Sequence, residues 1–437
     1  MSDPIRITYI TAGAAGMFCG SCMHDNTLAA ALVAQGHDAL LMPTYTPIRT
    51  DEMDVSSRKI YFGGINVYLQ QKSWLFRKTP WFVDQLLNAR WLLKFVSRWA
   101  NQTPYEDLGD LTISMLKGEH GFQKKEIEKL VHALETELKP QIVNLTNVLL
   151  SGIVPTMKER LKIPVLATLQ GDDVFLEALP EPYKSQAMDL IRENCRRFDG
   201  FVSTSEYYAD FMSNYFDIPR EKIDIVYPGL NLKGHGGERP ERNGEPFTIG
   251  YFARIDPDKG FHNIVDAFCI LKSSDGCPPC RLRASGWMGE HNRPYYEQQI
   301  NKLEDANLLS DFEYVDCPDH ASKVRFLRQI DVLSVPTTYR EPKGLYLLEA
   351  WANGIPVVQP QHGSFPELIE ATGGGLLAAP DDPEDLALVL REVLDDPVRV
   401  TEMGRKAQQV VKERFHADAM AIATVDVYRK YLQSDSV

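Results

Sequence analysis

The sequence predicts an α/β protein made of two Rossmann-like domains that face each other across a cleft. Apolar segments of strand length alternate with segments of helix length through both halves of the chain. A polar, glycine-rich segment at 230–246 separates the halves, and the alternation starts again after it. At 437 residues the chain is also longer than one ordinary domain.

The first half opens on a β-loop-α-β pattern. An apolar segment at 5–11 predicts a strand, and a glycine-rich loop follows at 12–20. A helix then ends at Gly36, before a second strand at 39–42. Further strands of this half are predicted at 142–144, 165–168, 200–205 and 223–227.

The second half repeats this alternation. A strand is predicted at 247–252 and a helix at 261–271. Ligands of parallel α/β sheets bind beyond the carboxyl ends of the strands, so the loops that follow the strands are the candidate site. Further strands are predicted at 281–284, 312–315, 331–336 and 355–359.

Composition and charge limit the possible functions. The chain is 44% hydrophobic and 24% charged, which is typical of a globular protein. A net charge of −13 argues against a general nucleic-acid binder, because phosphate backbones require basic surfaces. The sequence contains neither a spanning apolar segment nor a secretory signal pattern, and its seven cysteines do not suggest a disulfide framework. We therefore expect a cytoplasmic location.

The most informative segment contains two carboxylates on either side of a predicted helix start. Glu341 follows the strand predicted at 331–336, Gly344 opens a helix, and Glu349 lies eight residues after Glu341. A helix start offers unpaired N–H groups and a positive dipole end, which suit a phosphate. Ionised carboxylates accept hydrogen bonds, which suits sugar hydroxyls. The segment therefore predicts a site for a nucleotide sugar.

This segment resembles the E-x7-E element of the family 4 glycosyltransferases, which share the two-domain GT-B fold. The resemblance implies that Glu341 contacts the donor sugar and that Glu349 contacts the ribose hydroxyls. It also implies that the backbone of Gly344 and Leu345 faces the diphosphate. Lys343 stands where the family usually has Phe, and it would add a third cation near the phosphates.

Two cations in one loop are predicted to bind the donor diphosphate. Arg254 and Lys259 follow the first strand of the second half, and both can reach a diphosphate. The stretch is similar to the family's G-R-x-x-x-x-K-G, with Ala253 in place of the first Gly. The intervening segment 256–258 reads D-P-D, but its proline favours a turn over a metal site. We expect no metal, and no cofactor beyond the nucleotide-sugar co-substrate.

The resemblance also places acceptor and phosphate contacts in two loops of the first half. Gly20 takes the place of the family's double glycine. Gln170 stands where the family often has the His of H-G-x-D, so this position offers no imidazole base. Asp172 is a candidate for binding acceptor hydroxyls or for capping the next helix. The acceptor itself is an unidentified hydroxyl compound.

The domain boundaries follow from these patterns. An acceptor-side domain is expected at 1–229 and a nucleotide-sugar-binding domain at 247–415. The last helix is expected at 416–437, and its stretch 417–432 is amphipathic, with Met420, Ala423, Val427 and Tyr428 on one face. By the family resemblance this last helix packs back on the N-terminal domain; an ordinary terminal helix is the alternative.

Two C-x-x-C pairs occur on opposite sides of the predicted architecture. Cys19 and Cys22 lie at a helix start, where a thiolate pKa is expected to be lowered. They form either a redox-sensitive pair or ordinary packing residues. Cys277 and Cys280 fall at the far edge of the second domain, so a shared metal is not expected.

The segment 72–99 is rich in tryptophan and in basic residues. It contains four of the six tryptophans (Trp74, Trp81, Trp91 and Trp99) and six basic residues against one acidic residue. Such a pattern is consistent with peripheral membrane contact, with a helical flap over the acceptor, or with core packing beside solvated arginines.

Together these patterns predict a metal-independent hexosyltransferase that moves a sugar from a nucleotide-sugar donor to a hydroxyl acceptor, with retention implied by the resemblance. A GT-B nucleotide-sugar epimerase is one alternative. It would need acid or base groups in the N-terminal loops, where His24, Asp25 and Asp172 are candidates. A non-catalytic sugar-binding scaffold is the other alternative. Such a scaffold is expected to have lost the paired glutamates or the basic pair, and this sequence keeps both.

Overall fold

The structure, a computed structural model, divides the chain into two units. The first combines the residues up to Tyr227 with those from Ala417 onward, and the second spans Pro228–His416. Each unit contains its own parallel sheet, which confirms the predicted fold class. The structure describes residues 3–13, 19–57, 67, 70–71, 105–237 and 244–434.

The first unit is built on a six-stranded parallel sheet with the order β2-β1-β3-β4-β5-β6. Its inner strands are buried along nearly their whole length, because helices cover both faces of a parallel sheet. The strand order reverses at β1, which pairs with β2 on one side and β3 on the other. The strands are β1 (Arg6–Thr11), β2 (Asp38–Pro43), β3 (Ile142–Leu145), β4 (Val165–Leu169), β5 (Gly200–Ser203) and β6 (Ile223–Ile225).

The helices of the first unit follow the strands in alternation. They are α1 (Gly20–Ala34), α2 (Tyr105–Leu116), α3 (Lys124–Ala133), α4 (Val154–Leu161), α5 (Asp172–Glu177), α6 (Tyr183–Cys195) and α7 (Glu206–Phe216).

The second unit also has a six-stranded parallel sheet, with the order β12-β11-β10-β7-β8-β9. Its first strand therefore lies between its second and its fourth, which is the doubly wound order with a switch point between β7 and β10. The last strand, β12, was missed from the sequence because its glycine-rich start weakens the strand pattern. The strands are β7 (Phe247–Phe252), β8 (Cys280–Ser285), β9 (Phe312–Tyr314), β10 (Val332–Ser334), β11 (Val357–Pro360) and β12 (Gly375–Ala378).

Helices again alternate with these strands, and two of them follow β12. They are α8 (Phe261–Ser273), α9 (Arg293–Asp305), α10 (His320–Arg328), α11 (Leu345–Ala352), α12 (Phe365–Thr372), α13 (Pro383–Asp395) and α14 (Pro397–Arg414).

The last helix, α15 (Ala417–Ser434), belongs to the first unit. Its side chains Met420, Val425 and Tyr428 join the apolar cluster beneath β1. At its start, Gln35 Nε2 donates a hydrogen bond to the backbone oxygen of Asp418 at 3.0 Å. The helix therefore packs back on the N-terminal unit, as the resemblance implied.

The described part of the predicted linker, 230–237, is attached to the second unit. The Leu230 amide donates to the Phe415 carbonyl at 2.9 Å, and the Gly236 amide donates to Asn353 Oδ1 at 3.1 Å. The second unit thus satisfies backbone groups of this segment, which is attached to it and not detached.

The basic and aromatic segment 72–99 lies outside the described residues, so its three interpretations stay predictions. None of the described helices combines the length and the hydropathy that a bilayer-crossing helix needs.

Candidate active site

The candidate donor site lies at the switch point of the second sheet. Arg254 and Lys259 are in the loop after β7, and Glu341 is in the loop after β10. Because β7 and β10 pair in parallel, with Ile249 opposite Val332, their carboxyl ends meet at one edge of the sheet. Residues 82 positions apart in the sequence are thereby brought into contact.

A close backbone approach holds these two loops together at Gly260, the residue after Lys259. Gly260 has a φ of +71°, and a Cβ atom there would lie 1.7 Å from the carbonyl oxygen of Pro336. The Thr338 amide also donates to the Asp258 carbonyl at 3.0 Å. Only glycine satisfies both the left-handed conformation and the space, so this position sets the separation of the loops.

We expect Gly260→Ala to destabilise the fold by about 2–5 kcal/mol, since it adds a steric clash to the left-handed strain. Gly36→Ala is the matched control: its φ is +89°, but nothing lies within 4 Å of the added Cβ. The control is expected to lose about 1–2 kcal/mol. Urea denaturation of both variants measures the difference, and equal losses would show that the contact with Pro336 does not constrain the loops.

Glu341 is a buried carboxylate held by a cation, a phenol and its own loop. Lys259 Nζ donates to Glu341 Oε2 at 2.9 Å, and the Tyr339 hydroxyl donates to the same oxygen. The amides of Lys343 and Gly344 lie 3.4 Å from Oε1. Burial by itself raises the pKa of Glu341, but the charge of Lys259 and the bond from Tyr339 outweigh it and lower the pKa to about 2. The carboxylate is therefore ionised at every pH near neutrality.

The Lys259 ammonium is held from several sides. Besides Glu341, it donates to the Tyr339 hydroxyl and lies 4.6 Å from the centroid of that ring. The ring of Tyr346 is 5.5 Å away. Attraction to the faces of aromatic rings adds to the ion pair. Lys259 was predicted to bind phosphate and Glu341 to bind the sugar, and in the structure the two residues are each other's partners.

Arg254 is held by the two aspartates of its own loop. Its Nη2 lies 3.2 Å from Asp258 Oδ2, and its Nη1 lies 3.7 Å from Asp256 Oδ2. Asn292 Nδ2 also donates to Asp256 at 3.0 Å. Burial raises the pKa of Asp258 to about 6, although the charge of Arg254 opposes this. Both carboxylates therefore orient the guanidinium, which is one-third exposed.

Helix α11 begins next to these groups. Gly344, with a φ of +63°, is its N-cap, Leu345 is its first residue, and no described side chain caps it. The N-cap Gly344 stands three residues after Glu341, so the amides at the start of this helix are close to that residue in the chain. Lys343, which is 6% exposed, lies beside Glu341 and adds to the lowering of the pKa of that carboxyl. The predicted third cation is therefore close to the predicted sugar contact.

Glu349 has a buried partner that sequence reasoning missed. Lys323 Nζ, on α10, donates to Glu349 Oε1 at 2.6 Å, and both side chains are 6% exposed. The sequence did contain an indication of this buried partner, because Lys323 shares the apolar face of α10 with Phe326 and Leu327. A cation on an apolar face requires a facing anion, although the sequence does not say which one.

In the first unit, Gln170 belongs to a buried hydrogen-bond network. Its Nε2 donates to Asp25 Oδ1 at 3.0 Å and to the Thr146 carbonyl at 2.9 Å. Thr146 Oγ1 donates to Asp25 Oδ2 at 2.6 Å, and His24 Nδ1 lies 3.3 Å from Oδ1 of the same residue. Asp25, fully buried, thus fixes the orientation of the Gln170 amide. The other predicted loop residue, Gly20, is exposed at the start of α1.

Asp172 ties the loops after β3 and β4 together. Its carboxylate accepts the Val148 amide at 2.7 Å and the Gln170 amide at 3.1 Å. Gly171 is the N-cap of α5 and Asp172 its first residue, so the expected capping role is wrong. Burial raises the pKa of Asp172 to about 7. Its contact with acceptor hydroxyls stays a prediction.

The lowered thiolate pKa that was expected for the first cysteine pair is wrong for Cys22. The hydrogen bond with Cys19 and burial raise the pKa of the Cys22 thiol, and the Asp25 charge adds to this. The effect of the helix start is outweighed because Cys22 is inside the helix and 2% exposed. In the second unit, Cys277 Sγ and Cys280 Sγ are 3.9 Å apart. Among the described residues, no group of three or more His, Cys, Asp or Glu side chains is placed to hold a metal ion.

Two family models match the chain. Residues 238–410 match the model described as glycosyl transferases group 1, and residues 111–233 match the model described as glycosyltransferase family 4.

Curated relatives cover about two thirds of the chain. Glycogen synthase of Mycobacterium tuberculosis is 25% identical over 297 residues, which are 66% of this chain and 69% of the relative. D-inositol 3-phosphate glycosyltransferase of Streptomyces avermitilis is 30% identical over 298 residues, which are 64% of this chain and 61% of the relative.

Solved structures with the same fold cover nearly the whole chain. Anabaena HepE, crystallised with UDP, has a TM-score of 0.67 at 15% identity, over 98% of this chain and 100% of HepE. Sucrose-phosphate synthase of Thermosynechococcus elongatus has a TM-score of 0.71 at 17% identity, over 98% of this chain and 99% of the synthase.

Proposed function

We propose that this chain, which belongs to the group 1 and family 4 glycosyltransferases, transfers a sugar from a nucleoside-diphosphate sugar to a hydroxyl acceptor with retention and without a metal ion. Family membership makes it a hexosyltransferase that uses a nucleotide-sugar donor. The observation that carries the proposal is the Lys259–Glu341 pair at the switch point, with Arg254 in the same loop.

Arg254 and Lys259 are assigned to the diphosphate that leaves when the bond to the sugar breaks. Negative charge accumulates on this group as the bond breaks. Two fixed cations and the amides of the first turn of α11 supply the positive charge that stabilises it. Asp256 and Asp258 are engaged with Arg254, which favours their role as orienting groups over that of metal ligands. These contacts support metal independence.

Glu341 is assigned to the sugar itself. A carboxyl with a pKa of about 2 has no proton to give near neutrality, so it suits a hydrogen-bond acceptor for sugar hydroxyls rather than a general acid. Lys259 has three N–H donors and Glu341 has two acceptor oxygens, so each can bind the donor while the ion pair between them is kept.

The acceptor hydroxyl needs a base, and Gln170 offers none. Retention, which follows the family resemblance, places acceptor and leaving group on one face of the sugar. An oxygen of the leaving diphosphate is then the assigned proton acceptor. UDP is the first nucleotide to examine because HepE was crystallised with UDP and with UDP-glucose.

The test is a thermal-shift panel of UDP-, GDP- and ADP-sugars, with and without EDTA, on the wild type and on Glu349→Gln. Glutamine is preferred to alanine because truncation would leave a hole beside the buried Lys323 ammonium as well as removing its counter-charge. A donor at 100 times its dissociation constant adds about 2.7 kcal/mol to the free energy of unfolding.

We expect one nucleotide to stabilise the wild type with and without EDTA, and to stabilise Glu349→Gln less. The donor-induced shift is compared within each variant, because the substitution itself changes the baseline stability. A wild type that no sugar nucleotide stabilises would contradict the proposed donor site, and a shift abolished by EDTA would contradict metal independence.

A further inference from the structure

We infer that Tyr339 is a positioning residue of the donor site, whose hydroxyl bridges Lys259 and Glu341 and thereby keeps the carboxylate of Glu341 available to the sugar. The inference rests on the proposed function, since it assumes that Lys259 binds the diphosphate and that Glu341 binds the sugar. It adds a residue that lies outside both the E-x7-E segment and the loop after β7.

The Tyr339 hydroxyl contacts both members of the ion pair. It accepts a hydrogen bond from Lys259 Nζ and donates one to Glu341 Oε2. Lys259 Nζ also donates directly to Glu341 Oε2 at 2.9 Å, so the three groups form a closed triangle. A phenol can accept and donate at the same time, whereas an ammonium only donates and a carboxylate only accepts. The hydroxyl therefore satisfies part of each charge without neutralising either.

The hydroxyl keeps its proton in this position. Burial raises the pKa of Tyr339 well above its ordinary value, and the charge of Glu341 adds to this. The hydroxyl is therefore a donor to the carboxylate at every pH near neutrality. Its hydrogen bond is, after the charge of Lys259, a cause of the lowered pKa of Glu341.

The backbone that carries Tyr339 is fixed to neighbouring loops. The Thr338 amide donates to the Asp258 carbonyl, in the loop after β7, at 3.0 Å. Thr337 Oγ1 donates to the Tyr339 carbonyl at 3.0 Å, and His362 Nε2, in the loop after β11, lies 2.9 Å from the Thr337 carbonyl oxygen. The phenol thus reaches the ion pair from a restrained backbone, which is what positioning a ligand contact requires.

The triangle indicates what the hydroxyl prevents. A lysine ammonium has three rotatable donors on a flexible stem. Without the phenol oxygen as an acceptor, the ammonium can turn more of these donors to the carboxylate of Glu341, which has lost a neutral donor of its own. The carboxylate then has less accepting capacity for sugar hydroxyls, while Arg254 remains for the diphosphate. Loss of the hydroxyl should therefore weaken binding of the sugar more than binding of the diphosphate.

The test is calorimetry on Tyr339→Phe, which differs from the wild type by one oxygen atom. The probes are UDP, GDP and ADP and their glucose, galactose, mannose and N-acetylglucosamine esters. The dissociation constant of the ester that binds the wild type most tightly is divided by that of its parent diphosphate. We expect this ratio to rise about tenfold in the variant, the scale of one lost hydrogen bond to a charged group.

Tyr215→Phe is the matched control, because it also removes a phenol from a lysine–glutamate pair. The Tyr215 hydroxyl donates to Glu177 Oε1 at 2.7 Å, and Lys184 Nζ donates to Oε2 of the same carboxylate. This variant should leave the ratio unchanged. If Tyr339→Phe does not fold, Tyr339→Met takes its place, since its flexible side chain fills space without a hydroxyl.

The outcomes separate the inference from the proposed function. A folded variant without the Tyr339 hydroxyl that keeps the wild-type ratio overturns the inference and leaves the proposed function standing. Equal losses of affinity for the ester and the diphosphate count as such a result, because they would mean that the hydroxyl does not act on the sugar contact. A wild type that binds none of these nucleotides overturns the proposed function, and the inference with it.

Discussion

Replacing Lys259 by methionine is expected to lower turnover by about a hundred- to a thousandfold and to cost about 3–5 kcal/mol of stability. Two effects combine in this variant. The proposed diphosphate loses a cation, and Glu341, with its side chain 6% exposed, loses the ammonium that compensates its buried charge. Steady-state kinetics and urea denaturation of the same preparation measure both effects.

The double variant Lys259→Met/Glu341→Gln separates the two effects. Removing the carboxylate charge together with the ammonium leaves no isolated buried charge, so most of the lost stability should return. Turnover should not return, because neither the phosphate contact nor the charged sugar contact is restored. A double variant that recovers turnover along with stability would show that the pair is purely structural.

Asp172 is expected to make the fold less stable as pH rises through neutrality. Its pKa is about 7 in the folded chain, compared with 3.8 for the ordinary carboxyl. The folded state therefore holds this proton more tightly than the unfolded state does. The resulting contribution to the free energy of unfolding is fully present below pH 3.8. It is lost as pH rises toward 7, and the full difference of about three units corresponds to about 4 kcal/mol.

Asp172→Asn isolates this contribution because asparagine is neutral at every pH. We expect the stability of the wild type minus that of the variant to fall by roughly 2–3 kcal/mol between pH 5 and pH 8, as measured by urea denaturation. Taking the difference cancels the titration of other groups. A difference that is flat across this range would mean that the Asp172 pKa is ordinary, and that the amides of Val148 and Gln170 offset its burial.

Most of the fold could be predicted from the sequence because parallel strands that are buried on both faces are apolar throughout. The strand β12 escaped because its glycine-rich start has no such pattern, and only pairing with β11 makes it a strand. The segment 230–237 was predicted to be a linker from composition. Its attachment to the second unit depends on Asn353 and Phe415, which are distant in sequence.

In the candidate site, the groups that are present could be identified from local sequence patterns. The spacing of Glu341, Gly344 and Glu349 and the loop that carries Arg254 and Lys259 are local patterns, which a helix start and a strand end impose on neighbouring residues. The loops after β7 and β10 lie at one edge of the sheet because these strands are parallel neighbours. Predicting that the two loops are close required only a doubly wound sheet.

The partners of these groups, by contrast, depend on the folded arrangement of the chain. That Lys259 pairs with Glu341, and that Lys323 pairs with Glu349, depends on which helices and loops lie side by side. The same holds for Cys22, where the hydrogen bond with Cys19 and burial reverse the pKa shift expected at a helix start. Ion pairing and desolvation act through space over a few ångströms, so a sequence that names the residues cannot name their partners until the chain is folded.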